Sequence, residues 1–414
     1  MKPFQTWIGL LLAVGASVAI GHGFGEPSQQ TESGTGGKPS SASSGTLPKD
    51  VHPDSRNRLP LIQREKLDER GKKVYDEAVA SKNPLDGLQG PAGIRLHGGG
   101  ENLRYDIPVG RRLSELSIIT TGREMDAQYE WTLHEEEALR QGLQRKIINA
   151  VRDRKPLGGV GEKEAAIIQL GREMFGKHKV SSDTFTRAWI LLGTSNLVDI
   201  VSLMAQYSGT GVRLTVFDQH LPPDHKPLLP LPAAPIPKDI HRDSWSRLPM
   251  IQVEGAAASN DPNRRTLAPP GTGPGQITAH GGGEKSLESS IGRRLTELAV
   301  LVTARELDQQ FEWTLHELEA RKEGLDPAII DMVRNRKPVT GASEKEAAII
   351  ELGREVLGKH KVSSDTYAHY VKVFGERDLV DLSGLMAQYS GTCALLTAFD
   401  QQLPAGQKPL LPIP

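Results

Sequence analysis

The six residues EWTLHE stand at Glu130–Glu135 and return unchanged at Glu312–Glu317, 182 residues further along the chain. Other phrases repeat at the same offset: GRRL at 110 and 292, EKEAAII at 162 and 344, KHKVSSDT at 177 and 359, and LMAQYSGT at 203 and 385. Repetition at one fixed offset over such a length indicates a single structural unit written twice. The fold of the chain is therefore decided by the fold of one unit.

The composition excludes some classes of function. The 414 residues include 50 basic and 51 acidic side chains, and no long run of one sign of charge occurs. The sequence therefore lacks the basic footprint of a protein that binds nucleic acid. Cys393 is the only cysteine, and Gly211 takes its place in the first unit. No internal disulfide can form, and we expect Cys393 to be a buried, inert thiol.

Residues 1–25 have the pattern of a signal peptide. Lys2 supplies a short basic region, Trp7–Ile20 is an apolar stretch of 14 residues, and Ala19 and Gly21 are small residues suited to cleavage. The apolar stretch is shorter than the ~20 residues that span a bilayer. We expect a periplasmic or secreted protein with no stable membrane association after cleavage. An uncleaved membrane anchor is the alternative.

The rest of the chain divides into two similar domains. Residues 26–47 are rich in Gly, Ser and Pro and predict a flexible linker. The first domain spans 48–231, a Pro-rich linker spans 232–238, and the second domain spans 239–414. Near their starts the two differ, because Arg64–Ser81 predicts a helix whereas EGAAASNDPNRRTLAPPG, at 254–271, is interrupted by Pro and Asn-Asp. We therefore expect one unit to be covered where the other is open.

The hydrophobic period within each unit is helical. Leu113, Leu116 and Ile119 lie on one predicted helix face, and no run of alternating β-branched residues is long enough for a strand. Start and stop signals fall at Gly142, Gly324, Pro327, the Ser343/Glu346 capping box, and Ser182 or Asp183 before the helix that runs toward Leu192. We predict an all-α fold with about six helices per unit.

Glu130 and His134 are the first candidates for chemistry. Four residues apart on a helix, they share a face and can contact each other. A carboxylate beside an imidazole raises its basicity, which suits proton transfer near neutral pH. Glu115 lies among apolar residues of the preceding helix, where it could face the same pair. The alternatives are a buried structural Glu–His pair and a salt bridge from Glu115 to an arginine. Glu297, Glu312 and His316 form the matching set in the second unit.

The pattern RRLxELxxxxxxRExxxxxEWxxHexxAxxxGL, which begins at Arg111, resembles the carboxymuconolactone decarboxylase family. The resemblance covers most of each unit and implies two tandem helical domains of the alkylhydroperoxidase D-like fold. In the peroxidase branch of that family, a Glu, a CxxC pair and a His relay protons. Glu115 and His134 stand at the Glu and His positions, but the two thiol positions hold Ala127 and Glu130.

The second unit likewise has Gln309 and Glu312 at the thiol positions. Peroxide reduction through a thiolate requires the sulfur nucleophile and its resolving partner, so we do not expect thiol peroxidase activity. The decarboxylase branch implies a lyase that uses no metal or organic cofactor and acts on an acidic unsaturated lactone. In that interpretation Arg123 and Arg305 would hold substrate carboxylates. The alternative for each is a structural ion pair.

His134 and His316 would be the acids of such a reaction, and the neighbouring glutamates would set their protonation. The glycine-rich phrase HGGGE, which begins at His97 and again at His280, resembles the family segment before the first site helix. We expect it to form a loop over the site, with a plain connector as the alternative. Tyr207 and Tyr389 either close the pocket or are simple core residues.

Three classes of function therefore remain at the level of sequence. The first is a cofactor-independent acid–base enzyme that acts on a small acidic or lactone-type molecule. The second is an enzyme with a metal held by two Glu and one His, although no second His lies at ligand spacing within a unit. The third is a noncatalytic binding or scaffold protein. The resemblance further implies a homo-oligomer, in which three tandem chains would supply a ring of six units.

Overall fold

The computed structural model describes residues 47–81, 85, 87–100, 102–232, 234–251 and 267–413. The predicted signal peptide, nearly all of the linker after it and most of the interrupted stretch at 254–271 lie outside these residues. Within them the chain is all-helical, with one isolated β-bridge between His241 and Ser246 and no strand. The prediction of an all-α fold is confirmed.

Each repeat contributes eight α-helices in the described residues. In the first they are α1 Glu69–Ala80, α2 Pro91–Arg95, α3 Arg111–Glu124, α4 Gln128–Arg140, α5 Arg145–Arg152, α6 Glu162–Gly176, α7 Ser182–Leu192 and α8 Thr194–Val216. In the second they are α9 Pro274–Ala279, α10 Glu284–Ile291, α11 Arg293–Glu306, α12 Gln310–Lys322, α13 Pro327–Arg334, α14 Glu344–Gly353, α15 Ser364–Phe374 and α16 Glu376–Ala398. The six helices α3–α8 match α11–α16 in order, and five of the six pairs are equal in length. The exception is α14, which is shorter than α6 because the chain continues as a π-helix over Arg354–Gly358.

The helix boundaries follow local chemistry. The predicted helix within 64–81 forms as α1, and Asp68 caps its first turn by accepting a hydrogen bond from the Gly71 amide. Pro327 opens α13, and Ser343 and Glu346 form the predicted capping box of α14. The predicted cap of α7 was wrong by one or two residues. Ser181 caps that helix, because its hydroxyl accepts from the Thr184 amide three residues later.

The two repeats pack as one compact unit, Thr46–Pro414, with a continuous hydrophobic core. The long helices α8 and α16 meet where two glycines let the backbones approach. A Cβ added to Gly209 would lie 2.7 Å from the Ala387 carbonyl oxygen, and one added to Gly391 would lie 2.8 Å from that of Ala205. These contacts are reciprocal, as they are in a two-fold symmetric dimer. The two repeats therefore contact each other through equivalent positions of α8 and α16.

The first residues of each repeat also contact the other repeat. The Arg58 amide donates to the Phe399 carbonyl at 2.9 Å, which joins the start of the first repeat to the end of the second. The equivalent Arg247 amide donates to the Phe217 carbonyl, also at 2.9 Å. The short helices α2 and α9 cross over as well, because Gly90 backs onto the Phe311 ring and the Tyr129 hydroxyl bonds Thr272 Oγ1 at 2.6 Å.

No single helix in the described ranges is long and apolar enough to cross a membrane. By length and composition alone, α7 and α8 would pass such a test together as a pair bent by 116°.

We predict that Gly391→Ala lowers the free energy of unfolding by about 1–3 kcal/mol. The added methyl group meets a backbone oxygen of α8 that cannot move without separating the two long helices. Gly211→Ala is the matched control on α8, since its Cβ would make an ordinary 3.6 Å contact with Met125. Urea unfolding of both variants measures the effect. Equal stability of the two would contradict the close approach of the helices.

Candidate functional site

The predicted acid–base residues of the first repeat converge on one histidine. Helix α3 carries Glu115 and helix α4 carries Glu130 and His134, and the two helices pack side by side. His134 Nδ1 lies 2.7 Å from Glu115 Oε2, which is a short charge-assisted hydrogen bond. His134 Nε2 lies 3.3 Å from Glu130 Oε2, a buried oxygen that has no hydrogen-bond partner in the described residues.

The second repeat builds the same arrangement with the same distances. His316 Nδ1 lies 2.7 Å from Glu297 Oε2, and His316 Nε2 lies 3.3 Å from Glu312 Oε2. A tyrosine ring meets each imidazole edge to face: Tyr207 at 5.1 Å from His134, and Tyr389 at 5.0 Å from His316, between ring centroids. We refer to Glu115, Glu130, His134 and Tyr207 as the first site. Glu297, Glu312, His316 and Tyr389 are the second site.

Burial and charge act against each other at both histidines. Burial by itself would lower the pKa of His316, but its two glutamate partners outweigh burial and raise that pKa to about 10. The pKa of His134 is raised in the same way, with burial opposing the effect of Glu115 and Glu130. At neutral pH the second site therefore holds an imidazolium, His316, between two carboxylates. This stabilisation is complete below pH ~6.5 and is lost as the pH rises through about 10.

The first site is closed by two arginines. Arg104 Nε and Arg111 Nη2 both donate to Glu115 Oε1, at 3.2 and 2.7 Å, and Arg111 Nη2 also reaches Glu137 Oε1 at 3.0 Å. Both guanidinium groups stack on the Tyr105 ring, Arg111 at 4.5 Å and Arg104 at 5.1 Å from its centroid. Although burial favours its neutral form, the pKa of Glu115 is lowered by His134 and these arginines. The Glu115 side chain is 0% exposed.

Within the described residues, the second site has no equivalent pair of arginines. Arg293, which matches Arg111, is 66% exposed, and its charged partners are Glu288 and Glu323, at 3.9 and 3.7 Å. The segment that carries Arg104 and Tyr105 in the first repeat is replaced by helix α10, which buries Leu287 and Ile291 against the core. As a result the Glu297 side chain is 14% exposed and is the carboxylate of the second site with access to solvent. This difference lies at Arg104, Arg111 and helix α10, whereas the sequence-based expectation of unequal cover concerned Arg64–Ser81 and 254–271, and most of the latter stretch lies outside the described residues.

The structure does not bring the predicted carboxylate-binding arginines to either site. Arg123 Nε donates to the Arg152 carbonyl oxygen at 2.7 Å, and its Nη1 pairs with Asp126. Arg305 makes the equivalent bonds to the Arg334 carbonyl oxygen, at 2.7 Å, and to Asp308. Each side chain links the end of its own helix to the last residue of another helix, α5 or α13. Both arginines therefore have the structural role that was the alternative to substrate binding.

The glycine-rich loops are anchored by aspartates of the long helices. Gly99 and Gly100 amides donate to Asp199 Oδ1 at 3.0 and 3.2 Å, and in the second repeat Gly282 and Gly283 amides donate to Asp381. His97 and His280 each place Nε2 at 2.9 Å from a proline carbonyl oxygen, Pro60 and Pro249 respectively. Through these Nε2 contacts, the two histidines hold their loops to the segments at Pro60 and Pro249.

Metal ligation and thiol chemistry depend on the groups around the candidate ligands and around Cys393. No group of three or more His, Cys, Asp or Glu side chains there is arranged to hold a metal ion, and both nitrogens of His134 and of His316 face carboxylates. The Cys393 thiol is buried, and burial raises its pKa well above the ordinary value. A thiol in that state is a poor nucleophile.

Comparison with models of protein families, with characterised proteins and with solved structures finds no match for this chain.

We predict that the His316 ring titrates near pH 10, whereas an ordinary histidine titrates near pH ~6.5. Glu297→Gln removes one of the two carboxylates, so the midpoint should fall toward the ordinary value. Ring resonances of His316, assigned through the His316→Gln variant and followed by NMR across pH, measure it. A midpoint at or below pH ~6.5 in the unaltered protein would contradict the buried imidazolium.

Proposed function

We propose that the protein is a cofactor-independent acid–base enzyme, of the kind found in the carboxymuconolactone decarboxylase family, whose working site is the second one. Its substrate class is a small acidic or lactone-type organic molecule, and decarboxylation is the favoured reaction. The observation that carries the proposal is the contrast between two identical Glu–His–Glu arrangements, of which one is sealed and the other leaves Glu297 open to solvent.

The second site is suited to deliver a proton. Both nitrogens of His316 face carboxylates, so the imidazolium cannot meet a substrate directly. Glu297 bonds His316 through Oε2 and has access to solvent, and it can therefore pass a proton outward while His316 replaces it. In this role Glu297 is the group that touches the substrate. His316 is the proton reservoir, and Glu312 holds its ring in place.

Decarboxylation makes use of such a donor. The bond between the substrate carbon and its carboxylate carbon breaks, CO2 leaves, and the electron pair stays on the remaining carbon. That carbon takes the proton from Glu297, which His316 reprotonates. Water later returns one proton to the site, so the enzyme is restored without a redox change.

The first site is proposed to have a structural role. Two arginines already neutralise Glu115 and leave it no solvent-facing oxygen. A carboxylate held in this way resists protonation, because its arginine bonds favour the charged form. Glu115 therefore cannot pass protons as Glu297 can.

Two further properties, export and assembly into a homo-oligomer, are proposed from the sequence. Export to the periplasm or cell exterior depends on the signal peptide at residues 1–25. Assembly into a homo-oligomer, such as three tandem chains, would use surfaces other than the reciprocal contact of α8 and α16, which is already occupied within one chain.

We predict that Glu297→Gln and His316→Gln each lower turnover at least ~100-fold, the typical value of positioned proton transfer. The matched variants Glu115→Gln and His134→Gln should retain most of the activity. The assay follows CO2 release from a panel of small unsaturated lactone acids, and circular dichroism checks the fold of each variant. Equal losses in both repeats, activity that survives in His316→Gln, or no turnover across the panel would each contradict the proposal.

A further inference from the structure

Arg95 of the first repeat reaches the second site. It is the last residue of the short helix α2. The N-cap residue of that helix, Gly90, lies against the Phe311 ring of α12. Its Nη2 donates a long hydrogen bond, 3.5 Å, to Thr392 Oγ1 on α16. Burial lowers the pKa of the Arg95 guanidinium, and the charge of the nearby Glu312 carboxylate opposes that shift. Part of the residue is exposed to solvent, and within the described residues the guanidinium has one long hydrogen bond, so a cation lies beside the second site without a close ion pair there.

Among the residues that the structure describes, the second repeat supplies no equivalent cation to the first site. Thr278 takes the place of Arg95 at the end of α9, and its hydroxyl donates to the Pro274 carbonyl oxygen at 2.8 Å within its own helix. The two repeats thus use arginine in opposite ways. In the first, Arg104 and Arg111 bind a glutamate of the site itself. In the second, the described residues give Arg95 a single long hydrogen bond, to Thr392, and no ion pair within 4 Å.

We propose that Arg95 is the substrate-binding residue of the second site and that it binds a carboxylate of the substrate. The inference rests on the proposed function for the position of the chemistry, and it adds the residue that binds the substrate carboxylate, which the other repeat supplies. A site made in this way is complete only when both repeats fold together.

The chemistry of the guanidinium supports this assignment. Its planar fork of donors matches a carboxylate in a two-bond arrangement and stays charged at every relevant pH. An anion held at Arg95 lies on the side of Glu312, next to the imidazolium of His316. A substrate with one carboxylate there and its reacting carbon toward Glu297 would be oriented without further cations. An uncharged analogue would lack the main contact.

The test is a ligand titration of the full chain, followed by the NMR resonances of the His316 ring. The probes are succinate, its uncharged diamide, and inorganic phosphate, which separates carboxylate recognition from general anion binding. We expect succinate to shift the His316 resonances and the diamide to leave them unchanged. Arg95→Gln should weaken succinate binding about tenfold or more, since it removes a hydrogen bond between charged groups.

Two control variants make the result specific. Arg293→Gln removes the same charge from an exposed position outside the site and should leave succinate binding unchanged. Arg95→Lys keeps the charge without the fork and should bind with intermediate strength. Equal binding by Arg95→Gln and the unaltered protein would overturn the role of Arg95. So would phosphate binding that is as strong as succinate binding and as sensitive to Arg95→Gln, because the substrate class would then be wrong.

Failure of this inference is distinguishable from failure of the proposed function. If succinate shifts no His316 resonance, the carboxylate subsite is refuted, whereas the acid–base proposal is judged separately by turnover in the Glu297→Gln and His316→Gln variants. If those variants stay active while succinate binding depends on Arg95, the subsite stands and the catalytic proposal falls.

Discussion

The burial of charge inside each repeat is the constraint on which the rest of the structure depends. A histidine and two glutamates lie among core helices, where an unpaired charge would cost several kcal/mol. The three groups tolerate this position because the histidine ring contacts both carboxylates, one through a 2.7 Å hydrogen bond and the other as an ion pair at 3.3 Å. Their spacing in turn requires α3 against α4, and α11 against α12, in one fixed register. The EWTLHE phrase is therefore both a folding determinant and a candidate site.

Duplication gives this arrangement a freedom that a symmetric dimer of single units lacks. In a homodimer, any change near one site appears at both. In the tandem chain, Arg104 and Tyr105 can cover Glu115 while α10 replaces them beside Glu297. The reciprocal contacts of α8 and α16 keep the two halves together whichever half changes. One repeat can thus become a support that contributes Arg95 to the other.

Much of this architecture can be predicted from the sequence, because it depends on local signals. Helical period, the Ser343/Glu346 capping box and Pro327 each act within a few residues, and the structure has them where predicted. The Glu115–His134 contact could also be anticipated from two helices packed as a hairpin. The cap of α7 was misplaced because Ser181, Ser182 and Asp183 are all good caps, and only the backbone decides among them.

The arginines could not be predicted in this way, since their partners are set by tertiary contacts. Arg123 matched the expected spacing along a helix, yet it bonds Asp126 and a carbonyl of another helix. The available signal was a difference between the repeats, because Thr278 stands at the position in the second repeat that corresponds to Arg95. Where two copies share nearly every buried polar residue, a charge present in only one copy marks a difference between the two sites. Such a charge is the natural place to look for what one site does and the other does not.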